Sequence, residues 1–322
     1  MICLCCGKPI IESAAEEEKA ARWHKKCTRA FFKTKSIPQI DVDEAALEEL
    51  VNRTVNRGLT VPGVQKKLSL HLSDVTSVPK LTIVDYPTGY ILKPQSKDYK
   101  SLPEAESFSM KLAEKMGIKT VQNGLISMTG QKDKPLAYIT KRADRTADGM
   151  LAMEDFCQIG YRLTADKYKS SYERVGKILR DNSSRPGIDL PELFTRIVFC
   201  FLTGNSDMHL KNFSLIETEP GSRIYILAPA YDLLPVNVVM PEDTEETALP
   251  LNGKKRNITR NDFLTYAENL NINKTAARKM IDRLLEQEST ALDFVDGSFM
   301  PDEMKEHTRE LIISRYSRLK KR

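Results

Sequence analysis

Apolar and polar positions alternate through Leu68-Ser69-Leu70-His71-Leu72, which puts three leucines on one face and predicts a half-buried strand. Apolar runs at 81–84, 90–92, 125–128 and 136–140 predict further strands, with the turn Pro87-Thr88-Gly89 between the first two. Ala105, Phe108, Leu112, Ala113 and Met116 recur at helical spacing, so 103–116 reads as an amphipathic helix stopped by Gly117. Another helix is expected over 41–55, capped by Asp41 and ended by Gly58. Beyond residue 145 the helical period takes over. Helices are expected over 153–161, 172–180, 191–202, 261–269, 274–288 and 301–319. One hairpin interrupts them, 213–216 and 224–227 around Pro220-Gly221-Ser222. Strands first and helices later predict an α/β fold in two unequal lobes. The divisions expected are a small module over 1–36, a strand-rich lobe over 37–145 and a helical lobe over 146–322.

Composition narrows the class without changing that outline. The chain has 322 residues, 41% hydrophobic and 29% charged, as in ordinary globular proteins. No apolar run approaches the roughly 18 residues of a membrane span. The N-terminus lacks the basic-then-apolar order of a secretory signal, so a cytoplasmic location with no membrane partner is expected. A net charge of +5 is too small a surplus to imply direct nucleic-acid binding. Six cysteines in this length do not suggest a disulfide framework.

The densest chemistry lies in Asn205-Ser206-Asp207-Met208-His209-Leu210-Lys211-Asn212-Phe213. This polar loop follows an apolar helix and precedes a strand, the position in which a rigid scaffold presents reactive groups. Asp207 and Asn212 stand five apart, the spacing of the catalytic Asp and metal-binding Asn in a protein-kinase catalytic loop. A second acid, Asp232, follows the hairpin, where a kinase places the Asp that binds Mg²⁺. Mg²⁺ takes oxygen ligands, so one carboxylate and one carboxamide suit it. A further carboxylate orients the acceptor hydroxyl and takes its proton. Asp207 fits that second task, and Asn212 with Asp232 the first. Taken singly, Asp207 or Asn212 reads more simply as a helix cap or turn former, and His209 as a structural histidine. It is their order that carries the reading.

Features elsewhere are more ambiguous. Cys3-x2-Cys6 and His24-x2-Cys27 are paired soft ligands with the spacing that tetrahedral Zn²⁺ requires. The bland alternative is ordinary thiols beside a chance histidine, and Cys5 competes as a ligand. Trp23 and Phe31-Phe32 would anchor this module to the body of the protein. Lys93 closes an apolar strand, where it is either a solvated charge or the lysine that holds ATP phosphates. Glu106, early in the next helix, either pairs with Lys93 or favours the helix dipole. The loop leading to Leu68 carries Gly63, Lys66 and Lys67; it fits neither the G-x-G-x-x-G nor the G-x-x-x-x-G-K pattern. The acidic run 242–246 is expected to be a solvated loop.

With these residues assembled, the chain resembles the HipA family of bacterial serine/threonine kinases over roughly 37–320. The matching segments are Gly63-Val64-Gln65-Lys66-Lys67, Ile91-Leu92-Lys93-Pro94, Ala105-Glu106, Lys141-Arg142-Ala143-Asp144-Arg145, Glu154-Asp155-Phe156, the loop Asn205 to Phe213, and Ala228-Pro229-Ala230-Tyr231-Asp232. The resemblance implies a bilobed kinase-like fold with ATP and Mg²⁺ between its lobes. Asp207 would be the catalytic base, with Lys211 and Gln65 assisting. Asn212 and Asp232 would bind Mg²⁺. Val64, Gln65, Lys66, Lys67, Lys93, Glu106, Lys141, Arg142 and His209 would attend the nucleotide. Thr60 stands where some family members phosphorylate and inactivate themselves. The family further implies a protein substrate in translation, such as an aminoacyl-tRNA synthetase. It also implies a helix-turn-helix antitoxin, through which any contact with nucleic acid would run. The chain differs from longer members in having a short Cys/His module where they carry an N-terminal subdomain of about a hundred residues. Two other readings stay open: a zinc-ribbon regulator whose kinase fold only binds nucleotide or a partner, and a small-molecule kinase.

Overall fold

A computed structural model of the chain describes residues 1–40, 67–73, 79–82, 89–128 and 135–321. The helix expected over 41–55, and Thr60, Val64, Gln65 and Lys66, lie outside the described residues. The chain divides into two compact units. The first takes Met1–Ser107 and Gln122–Arg142, the second Phe108–Val121 and Ala143–Arg322.

The first unit opens with two short helices, α1 (Glu16–Ala21) and α2 (Lys25–Phe32). Its sheet comprises β1 (Gln39–Ile40), β2 (Leu68–Ser73), β3 (Lys80–Thr82), β4 (Tyr90–Lys93), β5 (Asn123–Ser127) and β6 (Leu136–Lys141) in the order β1-β3-β2-β4-β6-β5. The β1–β3 pair is parallel and the others are antiparallel. Leu68 and Leu70 point inward from β2 while Ser69 and His71 are exposed, as the alternation predicts. Of the strand expected over 81–84, residues 81 and 82 lie in β3 (Lys80–Thr82), and 83 and 84 lie outside the described residues. Before β5 and β6 the chain forms helix α3 (Leu102–Lys115), which starts in this unit and carries Glu106.

The N-terminal segment is tied to β5 along the sheet edge. The Leu125 amide donates to the Leu4 carbonyl at 2.9 Å, and the Trp23 indole N–H donates to the Leu125 carbonyl at 2.8 Å. Trp23, Phe31 and Phe32 pack on one another, and both phenylalanines reach Tyr90 of β4. A Cβ on Gly124 would stand 3.0 Å from the Trp23 ring, which explains a glycine in this strand. The aromatic anchor inferred from sequence is therefore real, and its partner is the sheet.

In the second unit the chain runs through the hairpin β7 (Arg145–Thr146) and β8 (Gly149–Met150), then β9 (Met153–Asp155) and α4 (Phe156–Ile159). The helix expected over 153–161 is thus mostly strand. Met153 to Asp155 pair with Ser214 to Ile216, and Asp155 then caps α4 through a box with Gln158. Helices α5 (Tyr172–Asn182) and α6 (Pro186–Leu202) follow. Helix α6 begins earlier than the expected 191, because Pro186 fits its first turn at no cost in hydrogen bonds; Pro191 lies inside the helix. From Leu193 to Leu202 almost every side chain is buried, so α6 runs through the core of this unit. Strands β10 (Ser214–Glu217) and β11 (Tyr225–Leu227) join β9 in a three-stranded sheet of order β11-β10-β9.

The remaining helices are α7 (Val236–Val239), α8 (Arg260–Asn269), α9 (Lys274–Leu285), α10 (Glu288–Asp296) and α11 (Asp302–Lys320). The acidic run 242–246 is the expected loop but only partly solvated, with Glu242 and Thr244 exposed. Glu246 is buried; it pairs with Arg315 and Arg318 of α11 and accepts from the Ile258 amide. Asp243 accepts from the Ser206 hydroxyl at 2.6 Å. No helix among the described residues is long and apolar enough to cross a membrane.

Candidate active site

In the second unit α6 delivers the polar loop directly. Gly204 has φ +72°, a conformation that favours glycine, and a Cβ there would stand 2.8 Å from Leu311. The Asn205 carboxamide oxygen then accepts from the Asp207 amide at 3.1 Å, a local turn of the kind Asn forms readily. The buried Tyr172 hydroxyl donates to the Met208 carbonyl at 3.2 Å, and residues Leu210–Asn212 make one 3₁₀ turn into β10.

The hairpin β10–β11 returns the chain to this loop. Tyr231 donates to the Lys211 carbonyl at 3.0 Å and shares a hydrogen bond with Ser214 at 2.6 Å. The next residue, Asp232, adopts φ +60°, which an Asp tolerates better than most side chains. Its carboxylate accepts from the Asn212 carboxamide N–H at 3.2 Å. Two oxygen-bearing side chains, 20 residues apart in sequence, thereby meet. Asn212 is 2% exposed, and its carboxamide oxygen has no hydrogen-bond partner among the described residues. A buried oxygen left so is costly. A hard divalent cation would satisfy it, and the adjoining carboxylate completes a donor pair that suits Mg²⁺.

Asp207 sits on the same loop, and its carboxylate accepts from the Tyr168 hydroxyl at 2.5 Å. His209 is buried with its ring edge-to-face with Tyr168. Lys211 forms an ion pair with Asp155 at 2.6 Å, so this lysine braces β9 against the loop. Behind the loop, Asn237 donates to the Ser206 hydroxyl at 3.3 Å and to the Asp243 and Glu245 carbonyls, while its own amide oxygen accepts from Arg315. Asp243→Ala removes the loop's acidic anchor and leaves Ser206 without it. The unfolding free energy from urea titration should fall by about 1–3 kcal/mol.

In the first unit, the Lys93 ammonium meets the Glu106 carboxylate at 2.5 Å with both residues almost wholly buried, at 3% and 1% exposed. The Tyr138 ring lies 5.4 Å from the same ammonium. Neither bland alternative holds, because Lys93 is not a solvated charge and Glu106 does more than favour a helix dipole. Lys141 closes β6 with its amide bonded to the Gln122 carbonyl, and the Arg142 amide bonds to the Gly89 carbonyl. Burial, then the charge of Lys33, lowers the Lys141 pKa. Lys67 is exposed.

Also in the first unit, Cys3, Cys6, His24 and Cys27 converge with their ligand atoms within 4.8 Å of one another. The His24 Nδ1 is 3.3 Å from Cys6 Sγ and 3.9 Å from Cys27 Sγ. Tetrahedral Zn²⁺ with Zn–S near 2.3 Å holds its ligands roughly 3.6–3.8 Å apart, so the group is close to the required size. The hydrogen bond that Cys3 donates to Cys27, then burial, pushes the Cys3 thiol up to about 12. The bond with Cys3 pulls Cys27 down, but Cys5, burial and Cys6 outweigh it and raise Cys27 to about 12. Backbone N–H groups of Cys5, Cys6 and His24 are directed at the Cys3 sulfur, an arrangement that favours thiolate once a cation is present.

A family model described as the HipA-like C-terminal domain matches residues 59–292, well over half of the chain. The chain belongs to the HipA-like family. The match contains Lys93, Glu106, Asp207, Asn212 and Asp232, and it leaves the Cys/His cluster of this HipA-like protein outside. A Haemophilus influenzae relative named "Putative kinase" is 29% identical over 274 residues, covering 76% of this chain and 77% of its own. A Sinorhizobium fredii relative, "Putative kinase Y4dM", is 36% identical over 214 residues, covering 63% of this chain and 51% of its own. Among solved structures, HipA of Shewanella oneidensis MR-1, in a complex with HipB and operator DNA, overlays with a TM-score of 0.67 at 19% identity. The overlay covers 85% of this chain and 70% of that one. The proinflammatory kinase CtkA of Helicobacter pylori overlays with a TM-score of 0.54 at 16% identity, covering 78% and 94%. The HipA-like chain therefore has a kinase-like α/β fold with a Cys/His cluster near its N-terminus.

Three contributors to the HipA-like loop were not singled out from sequence. Tyr168 and Asp243 reach it from 39 and 37 residues away, and no local pattern marks them. Asp155 falls in a matching family segment, but nothing in the sequence points to its ion pair with Lys211.

Proposed function

We propose that this chain is a protein serine/threonine kinase that transfers the γ-phosphoryl group of ATP to a protein hydroxyl. The observation that carries the reading is the pairing of Asn212 with Asp232 beside the loop that holds Asp207. Asn212 and Asp232 would hold Mg²⁺, whose charge neutralises that developing on the phosphate oxygens. Lys93, braced by Glu106, would hold phosphate oxygens. Asp207 orients the acceptor hydroxyl and takes its proton as the oxygen bonds to phosphorus and ADP departs. His209, Lys141, Arg142 and the Val64 to Lys67 loop attend the nucleotide in this reading, and Lys211 and Gln65 assist transfer. The functional divisions we propose are 1–36, 37–145 and 146–322.

The solved toxin–antitoxin complex of HipA with HipB and operator DNA supports a further proposal, a toxin role with a DNA-binding antitoxin as partner; a target in translation is proposed from the family resemblance alone. Thr60 is proposed as an autophosphorylation site. A phosphate there adds about −1.5 to −2 charges beside the phosphate-holding loop and should repel nucleotide. Peptide mass spectrometry after incubation with MgATP should find it; an unmodified peptide over 59–67 ends that proposal.

The Cys/His cluster is proposed to bind one Zn²⁺. Wild-type protein should contain about one zinc per chain, and Cys6→Ser or strong chelation should remove it and lower the melting temperature. Equal zinc content in Cys6→Ser argues against these ligands. The function itself is tested by incubating the purified protein with labelled ATP and Mg²⁺ in cell lysate and identifying the labelled proteins. Label on serine or threonine supports the reading, and no transfer to any protein opposes it.

A further inference from the structure

A carboxylate that serves as base for an acceptor hydroxyl receives a hydrogen bond from it at about 2.6–3.2 Å. On Asp207 a hydroxyl already makes such a contact, and it belongs to the protein: Tyr168 donates to Oδ1 at 2.5 Å. The tyrosine ring stands edge-to-face with His209 at a centroid distance of 5.0 Å, and the Lys167 ammonium lies 4.9 Å from its centroid. The Lys167 carbonyl accepts from the Leu210 amide at 3.2 Å, which fixes the backbone before Tyr168 to the catalytic loop. Burial, then the charge of Asp207, raises the phenol pKa, so the group remains a proton donor at neutral pH.

The geometry points to Tyr168 as an internal occupant of the acceptor-hydroxyl position on Asp207, one that a protein serine or threonine must displace before transfer. This inference rests on the kinase reading above. Its surroundings suit displacement. Tyr168 is 40% exposed, and in the segment before it Tyr161 is 99% exposed, so these aromatic side chains do not lock the segment into the core. The ion pair Lys169–Asp166 beside it is solvent-exposed and holds little. Releasing the hydroxyl therefore costs one charge-assisted hydrogen bond and a ring contact, with no core packing lost.

A purely structural brace for Asp207 predicts the opposite sign, because losing the brace would slow transfer. Full-length wild type and Tyr168→Phe are compared for MgATP hydrolysis with water as the acceptor, and for transfer to dephosphorylated casein. With the competing hydroxyl gone, turnover in both assays should rise about three- to tenfold, with KM for ATP unchanged. Adding Asp207→Asn to Tyr168→Phe should abolish the gain. Tyr168→Leu, which also lacks the hydroxyl, should behave like Tyr168→Phe if the latter folds poorly. Turnover at or below wild type in both assays, at an unchanged melting temperature, overturns the assignment. A wild-type protein that shows neither a MgATP-induced thermal shift nor turnover is a different failure; it removes the kinase reading and this inference with it.

Discussion

Asp207→Asn should reduce phosphoryl transfer at least about a thousandfold while MgATP affinity stays within about threefold of wild type. The substitution preserves size and hydrogen-bonding reach but removes the charge proposed to take the acceptor's proton. Asp207 is assigned neither to the cation nor to the phosphates, so nucleotide binding has no reason to change. Binding is read by calorimetry and transfer by single-turnover kinetics, because a steady-state KM alone would mix the two. A variant that keeps wild-type transfer removes Asp207 from the role of base. A variant that loses MgATP binding instead places Asp207 among the cation ligands.

The second large effect concerns stability and activity together. Lys93 and Glu106 form a buried ion pair. Removing one member of a buried pair takes away its counter-charge in the interior, so Glu106→Ala should destabilise the protein by about 3–5 kcal/mol. Replacing both members by apolar residues of similar volume, Lys93→Met with Glu106→Leu, should recover most of that stability. The double variant should nonetheless show no measurable phosphoryl transfer, because the charge proposed to hold the phosphates is gone. Denaturant unfolding and transfer assays on all three proteins test this. Recovery of activity along with stability would make the pair a packing device and take Lys93 out of the site.

The parts of the site that share short stretches of chain were the legible ones. Asp207 and Asn212 lie on one loop between a buried helix and a strand, and a hairpin leads from them to Asp232. Local spacing is enough to bring such residues together. The cluster Cys3, Cys6, His24 and Cys27 was legible for the same reason, since two short-range pairs need only one fold of the chain to face each other. What sequence could not give were contacts set by distant packing. Tyr168 is an unremarkable residue in a polar stretch until the fold carries it to Asp207. The acidic run 242–246 reads as solvated because its partners Arg315 and Arg318 lie on a helix about 70 residues later. The segment 153–161 reads as helix in sequence because Met153-Glu154-Asp155 is too short to show a strand period. Its pairing with β10 decided the matter.

The most direct test is a crystal structure with Mg²⁺ and a non-hydrolysable ATP analogue. The cation should lie about 2.0–2.1 Å from the Asn212 carboxamide oxygen and an Asp232 carboxylate oxygen, with Asp207 unligated and facing the terminal phosphate. A cation held elsewhere, or Asn212, Asp232 and Asp207 turned toward different cavities, would contradict the account.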